Sequence, residues 1–144
     1  GYHKFFSLVD IFRSCELCRK YGIKYNHSMI FGGPGETMET LAETVKNIDA
    51  SDPDSIIGFV GVRLYPNTPI LKDVGIDEVG IEPEFYLSPD VKDKIVDYLL
   101  DICATHKNWI IPGLEKGVNM KLFERMRKKG IKGQLWELMK SWSR

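Results

Sequence analysis

Hydrophobic positions in the first half of the chain follow two alternating patterns. Apolar side chains recur at steps of three and four over residues 4–21 and again from Met38 to Ile48, which predicts helices over residues 4–21 and about 37–49. Two short apolar runs, 24–31 and 56–65, are bounded by turn residues and are typical of strands. The order helix, strand, helix, strand indicates a β/α-repeat protein with a buried parallel sheet.

The second half of the chain carries mostly helical patterns. Ser88 as N-cap and Pro89 at the first helical position predict a helix that ends near His106. Further predicted elements are a loop over 75–87, a linker over 108–113, and helices over about 119–129 and 133–142. We therefore expect two parts, residues 1–74 with the strands and residues 75–144 as a mostly helical extension.

Composition narrows the function classes. The 144 residues carry 20 basic and 20 acidic side chains, a formal net charge of zero that argues against a general nucleic-acid or anionic-membrane binder. No apolar run approaches the ~20 residues of a membrane span, and no signal peptide is visible. Three cysteines form no disulfide framework, so we expect a reducing cytoplasm.

A glycine-rich segment, Gly32-Gly33-Pro34-Gly35-Glu36, joins the first predicted strand to the second helix. It lies at the carboxyl end of the strand, where α/β proteins place ligands. A P-loop would need Lys and then Ser or Thr after its glycines, and a dinucleotide fingerprint would need glycine where Met38 stands. A ligand-contacting turn and a purely structural connection both remain open.

Cysteine and histidine positions favour packing over chemistry. Cys15 and Cys18 lie on an apolar helical stripe with Phe5, Leu8 and Phe12, and no second pair at zinc-site spacing accompanies them. We interpret both as core residues and Cys103 in the same way. His27 alternates with apolar neighbours along its strand and is either a hydrogen-bonded core residue or a functional one.

Two polar side chains end the second predicted strand. Arg63 and Tyr65 follow an apolar run, and a buried arginine would need a partner because an unpaired interior charge is costly. Glu36 or a ligand carboxylate would serve.

Several segments, in this order, resemble radical S-adenosylmethionine (SAM) enzymes. Residues 30–37 with Glu39 and Leu41 resemble the fifth-strand motif of that family, and residues 64–69 are similar to the segment that closes its sixth strand. Residues 84–88, 108–109 and 133–136 resemble the tail of the subset that has an N-terminal cobalamin-binding domain.

The resemblance implies a fold and a cofactor site. The fold is the C-terminal part of a partial (β/α)6 TIM-like barrel, which in the family holds a 4Fe–4S cluster and SAM, with cobalamin in this subset. Ile30 and Gly32 match the apolar adenine-contacting position and the second glycine of the motif, whereas Ser28 replaces the first glycine and Glu36 stands one residue late. The cofactor-bordering residues that the resemblance implies are Ile30, Gly32, Gly33, Glu36, Arg63, Leu64 and Tyr65. No catalytic residue and no metal ligand is expected.

The cysteine motif of the family, Cys-x3-Cys-x2-Cys, does not occur in the chain. With the start at Gly1, this leads us to expect a fragment of a methyltransferase or cyclase that is inactive alone. Its partners would be the remainder of the parent chain and a small-molecule or lipid-like substrate, and exposed strand edges would favour self-association. The alternative is a stand-alone α/β module that binds a ligand or a protein without catalysis.

Overall fold

A three-stranded parallel sheet organises the structure, a computed structural model that describes residues 5–114 and 127–130. The elements, in chain order, are α1 (Leu8–Lys20), β1 (Asn26–Phe31), α2 (Met38–Ser51), β2 (Ser55–Val60), β3 (Val62–Leu64), α3 (Pro69–Asp73), β4 (Glu84–Tyr86), α4 (Ile95–Thr105) and β5 (Trp109–Ile110). This confirms the predicted mixed α/β class with a parallel sheet.

The sheet has the strand order β1-β2-β5. The first two strands pair in parallel from Asn26 opposite Ser55 to Phe31 opposite Val60, and Trp109 pairs opposite Ile56. The strands β3 and β4 form a separate antiparallel pair. Because β1 is paired only with β2 within the described part of the chain, its other edge is open.

The main core lies on one face of this sheet. Side chains alternate between the two faces of a strand, so Phe31, Ile56 and Ile111 point to the same side. There they pack with apolar residues of α2 and α4, and Phe31 stacks on Trp109 with 6.0 Å between ring centroids. The buried members of this core are Phe31, Leu41, Val45, Ile48, Ile56, Val91, Ile95, Leu99, Trp109 and Ile111.

Three predicted elements differ from the structure. The run 56–65 is not one strand: the backbone at Gly61 adopts a φ of 84°, so β2 ends and β3 turns away to pair with β4. Residues 89–94 form turns, so the helix predicted from Ser88 begins only at Ile95. The predicted linker over 108–113 contains β5, whose Trp109 is buried.

The helix α1 is mostly exposed. Cys15 is buried as predicted, but Leu8 is 45% exposed and Phe5 fully exposed, so the amino-terminal part of the predicted stripe does not reach the core. The helices predicted over 119–129, for the most part, and over 133–142 lie outside the described residues. None of the helices that can be described is long and apolar enough to cross a membrane.

Candidate functional site

The glycine turn follows directly from the end of β1. Gly32 has a φ of 84° and Gly35 a φ of 75°, values that glycine adopts without the steric cost of a side chain. The amide of Glu36 donates to the carbonyl of Gly33 at 3.1 Å, which closes the turn. Thr37 then caps α2, its hydroxyl accepting from the amide of Thr40.

Glu36 bridges the two ends of this turn. Its carboxylate accepts a hydrogen bond from the backbone amide of Gly32. Burial raises the pKa of Glu36 above its ordinary value, and the bond from Gly32 opposes that shift in part. Within the described chain Glu36 thus serves the turn itself, and it forms no ion pair with Arg63.

A segment far along the chain holds the turn from outside. The buried Ser88 donates its amide to the carbonyl of Gly32 at 2.9 Å and its hydroxyl to the carbonyl of Glu36 at 2.8 Å. Leu87 lies so close to Gly32 that a Cβ there would overlap its Cδ1 atom. The local sequence predicts Ser88 as a helix cap, and it contains no signal for a partner 52 residues away.

The sheet face opposite the core carries uncovered apolar side chains. Ile30 of β1 is 52% exposed, and its register partner Phe59 of β2 is 50% exposed. Ser28 and Ile57 point to the same face by strand alternation. The predicted adenine-contacting Ile30 therefore lies beside the glycine turn on an uncharged, accessible surface.

The predicted site residues of the second run lie on β3 and just after it. Leu64 is buried in a second small core with Leu71 and Val79. Arg63 is exposed, and its guanidinium lies 4.8 Å from the ring centroid of the half-exposed Tyr65. Arg63 was expected to need a carboxylate partner only if it were buried, and it is exposed because its strand leaves the sheet at Gly61 and keeps the charge in solvent.

A groove of about 400 Å³ lies between α1 and the start of β1. It contains Cys15, Cys18 and His27 among its lining residues, and Cys15 Sγ is 3.8 Å from His27 Nε2. No group of three or more His, Cys, Asp or Glu residues in the described ranges could hold a metal ion.

The chain is similar in structure to part of a known enzyme, although its sequence matches no known family. No family model and no curated protein matches the sequence. Among solved structures, the chain is similar to a radical S-adenosylmethionine methyltransferase, TsrM, from Kitasatospora setae, determined with cobalamin and a 4Fe–4S cluster bound. The TM-score is 0.70 at 22% sequence identity, over 96% of this chain and 33% of that protein. At this identity the likeness shows the fold: an α/β arrangement with a parallel sheet, seen in one third of a longer protein.

Proposed function

We propose that this chain is part of a radical SAM enzyme and supplies the strand ends that border the adenine of SAM. The observation that carries the proposal is the position of Ile30: an exposed apolar side chain next to a glycine turn, at the carboxyl end of a parallel strand. The fold likeness to a radical SAM methyltransferase and the motifs of the sequence support it.

The described residues fit the adenosine part of SAM. Ile30 and Phe59 form an apolar wall on adjacent strands, which suits the face of a purine ring. Gly33 and Gly35 offer backbone without side chains beside that wall, and a Cβ at Gly35 would meet nothing within 4 Å. Arg63, the backbone of the buried Leu64, and Tyr65 just after β3 would border the site from the other side.

The described residues do not fit an iron–sulfur cluster. Cys15 is buried beside His27, and no metal-ligating group of three is present in residues 5–114 or 127–130. In the proposed enzyme the cluster would therefore be held by another part of the protein. Cobalamin, a methyltransferase or cyclase reaction, a small-molecule or lipid-like substrate and a cytoplasmic location are further parts of the proposal.

The barrel assignment is also a proposal. In a βαβ unit the strand before a helix runs parallel to the strand after it, so a strand that preceded α1 would pair with the open edge of β1. The groove between α1 and the first residues of β1 would leave room for part of that strand. This makes the remainder of the parent chain the natural partner, and a second copy would compete for the edge in its absence.

Residues 1–74 and 75–144 would then be the barrel part and its extension. In the described portion of the extension, Leu99 and Trp109 pack in the same core as Phe31 of the barrel part.

Turnover of SAM by the full-length protein tests the proposal. The protein that contains this chain would be reconstituted anaerobically with iron, sulfide and a reductant, and incubated with SAM. We expect 5′-deoxyadenosine or S-adenosylhomocysteine in the quenched reaction. A reconstituted protein that forms neither product would overturn the enzymatic proposal.

A stand-alone binding module is the second candidate. The observation in its favour is the continuous core of the described residues, in which helices α2 and α4 pack on one face of the sheet. Such a module should unfold as a monomer in one cooperative step. A chain that self-associates or melts broadly would speak for the fragment instead.

A further inference from the structure

The glycine turn has little side-chain packing of its own. Its peptide units include Gly33 and Gly35, which have no side chains to pack, and a Cβ at Gly35 would lie in open space. The bonds from Glu36 to Gly33 and from Gly32 to Glu36 both act inside the turn. Glycine-rich segments lose much conformational freedom when they are ordered, so contacts from other parts of the chain are needed to stabilise one shape of the turn.

Ser88 supplies that support at both ends of the turn. Its amide donates to Gly32 at 2.9 Å, and its hydroxyl donates to Glu36 at 2.8 Å. The side chain is 1% exposed, so water cannot readily replace it as a donor. One residue therefore sets the distance between the first and last carbonyl groups of the turn.

Ser88 is itself fixed to the core. Its carbonyl accepts from the amides of Val91 at 3.1 Å and Lys92 at 3.0 Å, at the start of the turns that lead into α4. Val91 is fully buried in the main core. The neighbouring Leu87 packs on Gly32 and closes the remaining space at the strand end.

We propose that Ser88 is the positioning residue of the glycine turn: it holds Gly32 and Glu36 in the arrangement that receives the adenosine part of SAM. This inference rests on the proposed function. Because Ser88 is buried, it would not touch the ligand itself. It acts by ordering the turn before binding, which lowers the entropic cost that the ligand would otherwise meet.

The test compares Ser88→Ala with two related variants. Ser88→Thr keeps the hydroxyl and should restore much of the effect. Ser55→Ala is the matched control, because Ser55 is also buried, at 2% exposure, and its hydroxyl has no hydrogen-bond partner among the described residues. Thermal melting of each variant shows whether the fold is retained.

Two readouts separate positioning from folding. In the full-length protein, hydrogen exchange at the Glu36 amide should become about tenfold faster in Ser88→Ala and stay unchanged in Ser55→Ala. In the full-length protein, calorimetry with SAM should show a Kd about tenfold higher for Ser88→Ala, equivalent to ~1.4 kcal/mol.

The outcomes distinguish this inference from the proposed function. If the wild-type protein binds SAM and Ser88→Ala binds it equally well, the positioning role is overturned while the proposed function stands. If the wild-type protein does not bind SAM but exchange at Glu36 still responds to Ser88→Ala, the proposed function fails and Ser88 is confined to a structural role.

Discussion

The Nε2 atom of His27 lies 2.9 Å from the hydroxyl oxygen of Ser51, and that hydroxyl donates its own proton to the carbonyl of Ile48 at 2.6 Å. Because the Ser51 proton is already engaged, Nε2 of His27 must carry a hydrogen and donate it. The His27 side chain thus links β1 to the end of α2 by a hydrogen bond. Because its Nε2 carries a hydrogen, it cannot accept the proton of the neighbouring Cys15 thiol.

This environment predicts a pH dependence of stability. Burial lowers the pKa of His27 below its ordinary value near 6.5, so the unfolded chain binds the proton more readily than the folded one. The free energy of unfolding should therefore fall as pH drops below about 6.5. In His27→Gln, which keeps a donor for Ser51, urea denaturation between pH 8 and 5 should show a smaller fall. Equal pH dependence in wild type and His27→Gln would contradict this account.

The raised pKa of Glu36 predicts a pH dependence of stability with the opposite sign. Its pKa is raised by burial, so its contribution to stability is present below about pH 4.5 and is lost as pH rises through the folded pKa. Glu36→Gln keeps an acceptor for Gly32 without the charge and should gain stability relative to wild type between pH 4 and 7. In the exposed Glu39, the Thr37 hydroxyl holds the pKa low, so Glu39→Gln should lose stability over the same range. Parallel stability curves for Glu36→Gln and wild type would refute the prediction.

The contact between Leu87 and Gly32 predicts a difference between two glycine variants. Both Gly32→Ala and Gly35→Ala force alanine to a positive φ, at a cost of ~1–2 kcal/mol. Gly32→Ala also drives its Cβ into Leu87, and overpacking of this kind adds ~1–3 kcal/mol. Denaturant unfolding should show the larger loss at Gly32, and adding Leu87→Ala should relieve part of it. Equal losses at the two positions would show that Leu87 moves away freely.

The position of α4 in the core predicts the effect of truncating its side chains. Leu99 is fully buried in the main cluster, so Leu99→Ala should lower the free energy of unfolding by ~2–5 kcal/mol. Val96, one turn earlier, is 40% exposed, and Val96→Ala should change it by only ~0.5 kcal/mol. A small effect of Leu99→Ala would mean that α4 does not stabilise the sheet.

Local patterns in the sequence predicted much of the fold. The helical spacing of Leu41, Val45 and Ile48 identified α2, and all three are buried against the sheet. The glycine turn was recognised because its chemistry is local: a strand, positive φ values and a helix cap follow one another in the chain. These features need no information about distant residues.

The parts that could not be predicted depend on contacts distant in sequence. The strand β2 ends inside an apolar run because the residues after Gly61 pair with β4. In that pairing Val62 lies opposite Tyr86, more than twenty positions later in the chain. The dipeptide Trp109-Ile110 has the sequence of a linker, and it becomes a strand only by pairing with the edge of β2. Ser88 has an ordinary N-cap sequence, and its two bonds to the glycine turn exist only in the folded chain.

The most direct test of the central claim is the affinity of the full-length protein for SAM when the apolar wall is changed at Ile30. Since Ile30 is 52% exposed, Ile30→Asp should leave the fold intact, and Ile30→Val is the matched apolar control. Anaerobic calorimetry should give a Kd for SAM at least about tenfold higher in Ile30→Asp and nearly unchanged in Ile30→Val. Equal affinities of wild type and a folded Ile30→Asp protein would remove Ile30 from the proposed adenine site and contradict the account.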